Sequence, residues 1–205
     1  MDFLKKALSN QYVKFFLIAT LFVLIVILRR VDVVTYPQFY AEDGVFWFSE
    51  AYQAKNPIDP FFVPKQKYFQ TVSRVGGYLG NLIEIGQAPL VFNLFAIAFQ
   101  ILPAMFFLSS RFRELISKFY LRFLIGLGYL LILGAGETHA NLTNVQWRLA
   151  LLMFLIIIAP ESKKIGWKIF DSVMLLLAGL SGPFVFFCLS FSGSLFLSQI
   201  FQEIC

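Results

Sequence analysis

Apolar residues in this chain fall into runs, with most polar residues gathered between them. Residues 15–28 carry no charge and lie between Lys14 and the pair Arg29 and Arg30. Further runs follow at 90–109, 123–136, 149–160 and 172–198. The last is too long for one span and is interrupted by Ser181, Gly182 and Pro183. It predicts a helix over residues 168–180, a turn, and a return helix from 184. Six spans result. The first run, at 1.5 Å per residue, covers about 21 Å of a roughly 30 Å hydrocarbon core, so Lys14 and the arginines must snorkel outward. No small-x-small cleavage pattern follows in residues 29–36, so this run is expected to remain as an anchor and not to be removed as a signal peptide.

Composition agrees with the runs. Apolar residues make up 59% of the 205, charged residues only 14%, and mean hydropathy is +0.74. That is too little polar material to coat a water-soluble domain, which carries about 25% charged residues. A soluble enzyme, a disordered tail and a disulfide scaffold are excluded. Cys188 and Cys205 offer neither metal-ligand spacing nor a disulfide framework. The net charge of +5 comes from short basic clusters, which gives topology signals and argues against a nucleic-acid partner.

Those clusters alternate. Lys5, Lys6 and Lys14 precede the first span, Arg111, Arg113, Lys118 and Arg122 separate the second from the third, and Lys163, Lys164 and Lys168 separate the fourth from the fifth. Basic loops face the cytoplasm, which places the N terminus inside. Arg29, Arg30, Lys65, Lys67 and Arg74 fall outside against the rule, in a long loop of little weight for orientation. The expected fold is all-α: a polytopic helical membrane protein in one transmembrane domain, residues 1–205. It comprises an anchor span at 1–30, an external loop at 31–89 and the remaining spans over 90–205.

The 31–89 loop is aromatic-rich and reads as structured. Residues 41–53 have helical spacing, with Val45, Phe48 and Tyr52 on one face and Asp43, Trp47 and Glu50 on another. Residues 56–64 hold three prolines and predict a turn. Residues 72–85 read as a second helix, with Val72, Val75, Leu79 and Leu82 opposite Arg74, Gly77, Asn81 and Glu84. Two interfacial helices are therefore expected at the membrane surface. Gly76, Gly77 and Gly80 lack a phosphate-loop Lys-Ser/Thr and read as packing glycines. Glu42 and Asp43 open the first helix, where carboxylates complement the helix dipole.

The second external region, 136–148, concentrates Glu137, His139, Asn141, Asn144, Gln146, Trp147 and Arg148 between short apolar runs. At that depth ionisable groups mark a hydrated cavity, or they cap two helix ends and bond one another. His139 alone makes no metal site. Asn141, Leu142 and Thr143 match a glycosylation sequon that such a cavity would hide.

Residues 36–44 (Tyr-Pro-Gln-Phe-Tyr-Ala-Glu-Asp-Gly), 68–74 with 88–93, 137–147 and 181–184 resemble bacterial multi-pass membrane proteins similar in layout to GT-C glycosyltransferases. The resemblance covers nearly the whole chain. It implies an integral protein of the bacterial cytoplasmic membrane that transfers a sugar from a polyprenyl-phosphate donor to an external glycan or lipid acceptor, with inversion. Asp43, or Glu42, would be the base that takes the acceptor proton. Arg74, with Lys67 and Arg148 behind it, would offset the leaving phosphate's charge. Glu137, His139, Asn141, Asn144, Gln146 and Trp147 would line the sugar site. No cofactor is implied, and a divalent metal is left open. GT-C proteins have more spans than six, so a truncated reading frame or fragment is also expected from the length. Two further readings stand: a lipid-linked-sugar flippase, for which no internal repeat speaks, and a noncatalytic membrane subunit or inactive fragment.

Overall fold

The computed structural model describes residues 10–56, 58–64 and 68–184. Among them the chain is all-helical. Helix α1, Gln11–Arg29, starts where the Asn10 side chain accepts the Tyr12 N–H at 2.9 Å. No proline or glycine interrupts it. After the short α2 (Asp32–Thr35), a π-helical turn, Asp43–Phe48, runs into α3 (Ser49–Gln53). A 3₁₀ turn over Asp59–Phe62 precedes α4 (Thr71–Gly80). Then come α5 (Ala88–Leu108), α6 (Phe119–Leu130), α7 (Val145–Ile158) and α8 (Ile165–Ser181).

Helix α5 is central. Phe92, Ala96, Ile97, Ile101, Ala104 and Leu108 are all buried, so it packs against neighbours around most of its circumference. Pro89 fits its first turn, where no N–H is needed, and Pro103 lies inside it, removing one backbone donor. Helix α1 is the opposite case: Phe16, Leu17, Leu21, Leu24 and Leu28 are exposed along it, and only Phe22 and Val26 are buried.

Contacts at the helix ends fix their directions. Lys14 near the start of α1 sits 3.9 Å from the Phe119 ring at the start of α6. At the far end, the Arg29 guanidinium donates to the carbonyls of Leu130 and Ile132, supplying donors to the frayed terminus of α6. Helices α1 and α6 are therefore parallel. Just beyond α5, Arg111 donates to the Pro160 carbonyl after α7 (2.7 Å) and to Asp171 on α8 (2.8 Å). At the opposite end Ser181 accepts the Val72 N–H at 3.2 Å, and Gln70 donates to Gln146 at 3.2 Å. The five longer helices alternate in direction. Residues 30–87, as far as described, and 131–146 share one end of the bundle, and the Arg111, Lys118 and Lys163 segments share the other.

Among the described residues only α1 and the helical stretch Ile85–Leu108 are long and apolar enough to cross a membrane by length and composition; α6, α7 and α8 have 12, 14 and 17 residues. The expected break after residue 180 is present, since α8 ends at Ser181 and Gly182 is extended. The sixth expected span lies outside the described residues.

Both loop helices depart from expectation in phase or extent. The first buries Asp43 and Trp47 and exposes Val45 and Tyr52, as their spacing grouped them, but buries Phe48 as well, together with Ala51. A π turn has more residues per turn than an α-helix, which shifts the aligned positions. The second helix ends at Gly80, where the Asn81 N–H reaches back to Gly77 at 3.1 Å, and not at 85; it buries Val72 and Arg74 together. The glycines explain the close crossing. A Cβ at Gly77 would lie 2.2 Å from the Trp47 carbonyl oxygen, and one at Gly80 3.0 Å from the Phe92 ring.

Candidate functional site

The two loop regions meet at Asp43. Its side chain has no exposed surface. One carboxylate oxygen accepts the Thr143 hydroxyl at 2.9 Å, and the other accepts the Leu142 N–H at 3.1 Å. The same hydroxyl lies 3.1 Å from the Tyr40 carbonyl and shares its one proton between the two acceptors, so one side chain ties the start of the first loop helix to the second loop. Burial raises the Asp43 pKa to about 7, against the opposing pull of the Thr143 and Leu142 donors; the charge on Glu42 adds to the rise. Glu42 itself is half-buried and caps no helix with its side chain.

Arg74 is 2% exposed and fully engaged. Its Nε donates to the Phe69 carbonyl at 2.8 Å, one terminal nitrogen to Glu50 at 3.0 Å, and the other to the Val63 carbonyl. Its guanidinium carbon is 5.4 Å from the centre of the Trp47 ring. Arg74 thus fastens both ends of the 63–69 segment. Lys67 belongs to that segment in sequence and lies outside the described residues.

In the second loop, His139 is buried. Its Nε2 is 3.0 Å from the Val26 carbonyl, which requires a proton there, and its Nδ1 is 3.3 Å from the Gln100 amide nitrogen. Burial lowers its pKa from the usual imidazole range, with Arg29, Arg30 and Arg148 acting in the same direction and the bond to Val26 opposing them. The Gln100 oxygen accepts the Ala140 N–H at 2.9 Å. Asn141 and Asn144 both donate to the Glu137 backbone carbonyl, at 2.7 and 2.8 Å, while the Glu137 side chain faces outward. Arg148 reaches Thr138 at 2.9 Å and the Tyr129 hydroxyl at 3.2 Å. Gln146 accepts from Gln70, and Trp147, half exposed, lies 4.6 Å from the Phe184 ring.

The structure therefore brings Asp43, the backbone of 142–143, Arg74 and Gln146 to one end of the bundle. The carboxylate of Glu137 does not join them. Two openings lie at this end. A groove of about 600 Å³ is lined by Ile58, Phe61, Phe62, Phe69, Tyr78 and Leu180, and a polar cavity of about 100 Å³ touches Arg30, Asp32, Gln38, Tyr40, Asn93 and His139. Trp47 Nε1, Gln70 Oε1 and Arg148 Nε are buried here without a hydrogen-bond partner among the described residues. Among the described residues three outside glycine adopt left-handed backbone: Ala41, Gln70 and Ala140, with φ of 42°, 53° and 50°. All three lie in these loops, and such conformations concentrate where function constrains the chain.

Sequence reasoning assigned no site role to Gln100, Asn93 or Thr143. A polar residue inside an apolar run is the signal that points to the first two: Gln100 holds the second loop, and Asn93 donates to the Val33 carbonyl at 2.9 Å. Among the described residues no three His, Cys, Asp or Glu side chains are grouped to hold a metal ion.

No protein-family model, curated protein or solved structure matches the chain.

Proposed function

We propose that the chain is a polytopic membrane protein of glycosyltransferase type, with Asp43 as the base at the outer face. In this reading α1, α5, α6, α7 and α8 cross the bilayer and the basic turns at 111–122 and 163–168 face the cytoplasm. The exposed apolar faces of α1, α6 and α8 support immersion in lipid, because a patch of that size in water would drive association. The observation that carries the catalytic assignment is the buried Asp43 carboxyl, whose pKa near 7 suits a group that must accept a proton at neutral pH. Its two oxygens offer about four acceptor positions, and the Leu142 N–H and the Thr143 hydroxyl and N–H use at most three, so one remains for a hydroxyl proton.

The apolar groove fits the prenyl chain of a polyprenyl-phosphate sugar, and the orphaned polar atoms of Trp47, Gln70 and Arg148 are suited to water or sugar hydroxyls. Arg74 acts in this scheme by positioning the 63–69 segment, which contains Lys67, and not by touching the phosphate itself. The acceptor hydroxyl loses its proton to Asp43, its oxygen attacks the anomeric carbon, and the lipid phosphate leaves.

The experiment is transfer of labelled sugar from a polyprenyl-phosphate donor in proteoliposomes made with the full native chain. Asp43→Asn is expected to lower transfer by a factor on the order of 10² to 10⁴, with Glu42→Gln within a few-fold of wild type. A second reading is favoured by the engagement of Asp43, Arg74, His139 and Asn141 with protein partners: a noncatalytic membrane subunit in which these groups fasten the loops. Unchanged transfer in a folded Asp43→Asn protein supports that reading and removes the base assignment.

A further inference from the structure

At the end of the bundle away from Asp43, three cations from three segments surround one cavity. Lys14 on α1, Arg113 in the turn after α5 and Arg122 on α6 line a space of about 270 Å³ together with Gln11, Ser110 and Phe119. No carboxylate among the described residues lines it. Arg122 is 3% exposed. One of its terminal nitrogens donates to the carbonyls of Leu108 (3.2 Å) and Ser109, whereas its Nε is buried with no partner among the described residues. Lys14 and Arg122 both approach the Phe119 ring, at 3.9 and 5.6 Å from its centre, which draws the two charges to one spot. Three like charges around a partly enclosed space repel unless an anion joins them. A pure topology signal needs only exposed cations; it does not require a buried arginine with a donor left over.

The surroundings narrow the anion. Leu121, Leu124 and Ile125 are exposed on the same helix, and Leu121 and Ile125 line a groove of about 420 Å³ with Leu115, Ile116, Ser117 and Lys118. The cationic cavity and this groove lie on neighbouring stripes of α6. We infer that the cavity binds the phosphate headgroup of an anionic membrane lipid, with an acyl chain in the adjacent groove. The inference rests on the membrane reading above and is independent of the chemistry at Asp43.

The test uses the full chain purified in detergent, with phosphatidylglycerol or phosphatidylcholine added and retained lipid counted by native mass spectrometry. Wild type is expected to retain phosphatidylglycerol preferentially. Because Arg122 also holds two backbone carbonyls, the informative variant is Lys14→Gln with Arg113→Gln, at two more accessible positions. It should weaken phosphatidylglycerol retention about thirty-fold, some fivefold for each cation removed. Lys163→Gln with Lys164→Gln, basic residues outside the cavity, should leave retention unchanged. Equal retention of the two lipids, or an equal loss in the Lys163 and Lys164 control, overturns the site. Displacement of the lipid by millimolar inorganic phosphate assigns the cavity to free phosphate and overturns the lipid. Resistance of the chain to carbonate extraction from membranes is measured first. Failed lipid binding in an extraction-resistant chain then counts against this cavity alone, and a chain that washes off removes both readings.

Discussion

Asp43 has a thermodynamic signature separate from any catalytic one. Its folded pKa of about 7 lies above the ordinary carboxylate value of about 4, so between those pH values the folded state keeps a proton that the unfolded state has lost. Stability from this group is greatest below about pH 4 and declines as pH rises through 7, by roughly 3–5 kcal/mol in full. Asp43→Asn carries no charge at any pH. It is expected to melt above wild type at pH 8 and by only about a third as much at pH 5, where part of the loss has already occurred, as thermal unfolding of the purified protein at both values will show; a lower melting point at pH 8 would mean that the ionised carboxylate contributes net stability. His139 is a different kind of residue. Its buried ring bridges α1 and α5 through Val26 and Gln100, so His139→Leu strands a carbonyl and an amide and should cost about 1–3 kcal/mol. The same melts check it, and a change below about half a kcal/mol would show that the bridge contributes little.

Among the elements, α4 is set by what its glycines lack. Gly77→Ala would drive a Cβ into the Trp47 carbonyl, a backbone atom with little freedom to retreat, and should cost about 1–3 kcal/mol. Gly128→Ala on α6 meets nothing within 4 Å and should be neutral or stabilise by up to about 1 kcal/mol. Equal melting shifts for the two variants would remove the packing account of α4. The glycines were legible because no phosphate-binding residue accompanies them, and the long helices were legible because their apolar runs are uninterrupted. The burial of Phe48 on the first loop helix was not. A π turn leaves no mark in a pattern of apolar positions, and α4 supplies a glycine surface that accepts the Asp43 and Trp47 side of that helix. Gln100 and Thr143 were missed for a related reason: each finds its partners about 40 and 100 residues away, Ala140 in one case and Asp43 in the other, where no local spacing predicts a contact.

For the molecule as a whole, the sequence anticipated that the 31–89 and 136–148 regions share one end, since alternate basic clusters imply it. The end contacts of α1 with α6, and of Arg111 with Pro160 and Asp171, place them so. In the proposed membrane reading that end faces outward, and labelling tests it. Single cysteines at Ser49 and Thr138 are expected to react with an impermeant thiol reagent on intact cells, and one at Lys163 only after the membrane is opened. The reverse pattern would invert the orientation.

The pairing of Lys14 with Phe119 and of Arg29 with the end of α6 also measures the protein. From Lys14 to Arg29 is fifteen residue steps along α1, about 22 Å at the rise of an α-helix. The α6 segment that ends at the Arg29 contacts is equally short. In the proposed membrane reading, a hydrocarbon core near 30 Å meets both charged levels by some thinning in addition to the reach of the Lys14 and Arg29 side chains, at a fraction of a kcal/mol for each ångström thinned. In that reading the protein therefore favours a thin bilayer. It should be most stable among lipids of short acyl chain, and should leave thick, sterol-like or long-chain regions for thinner ones.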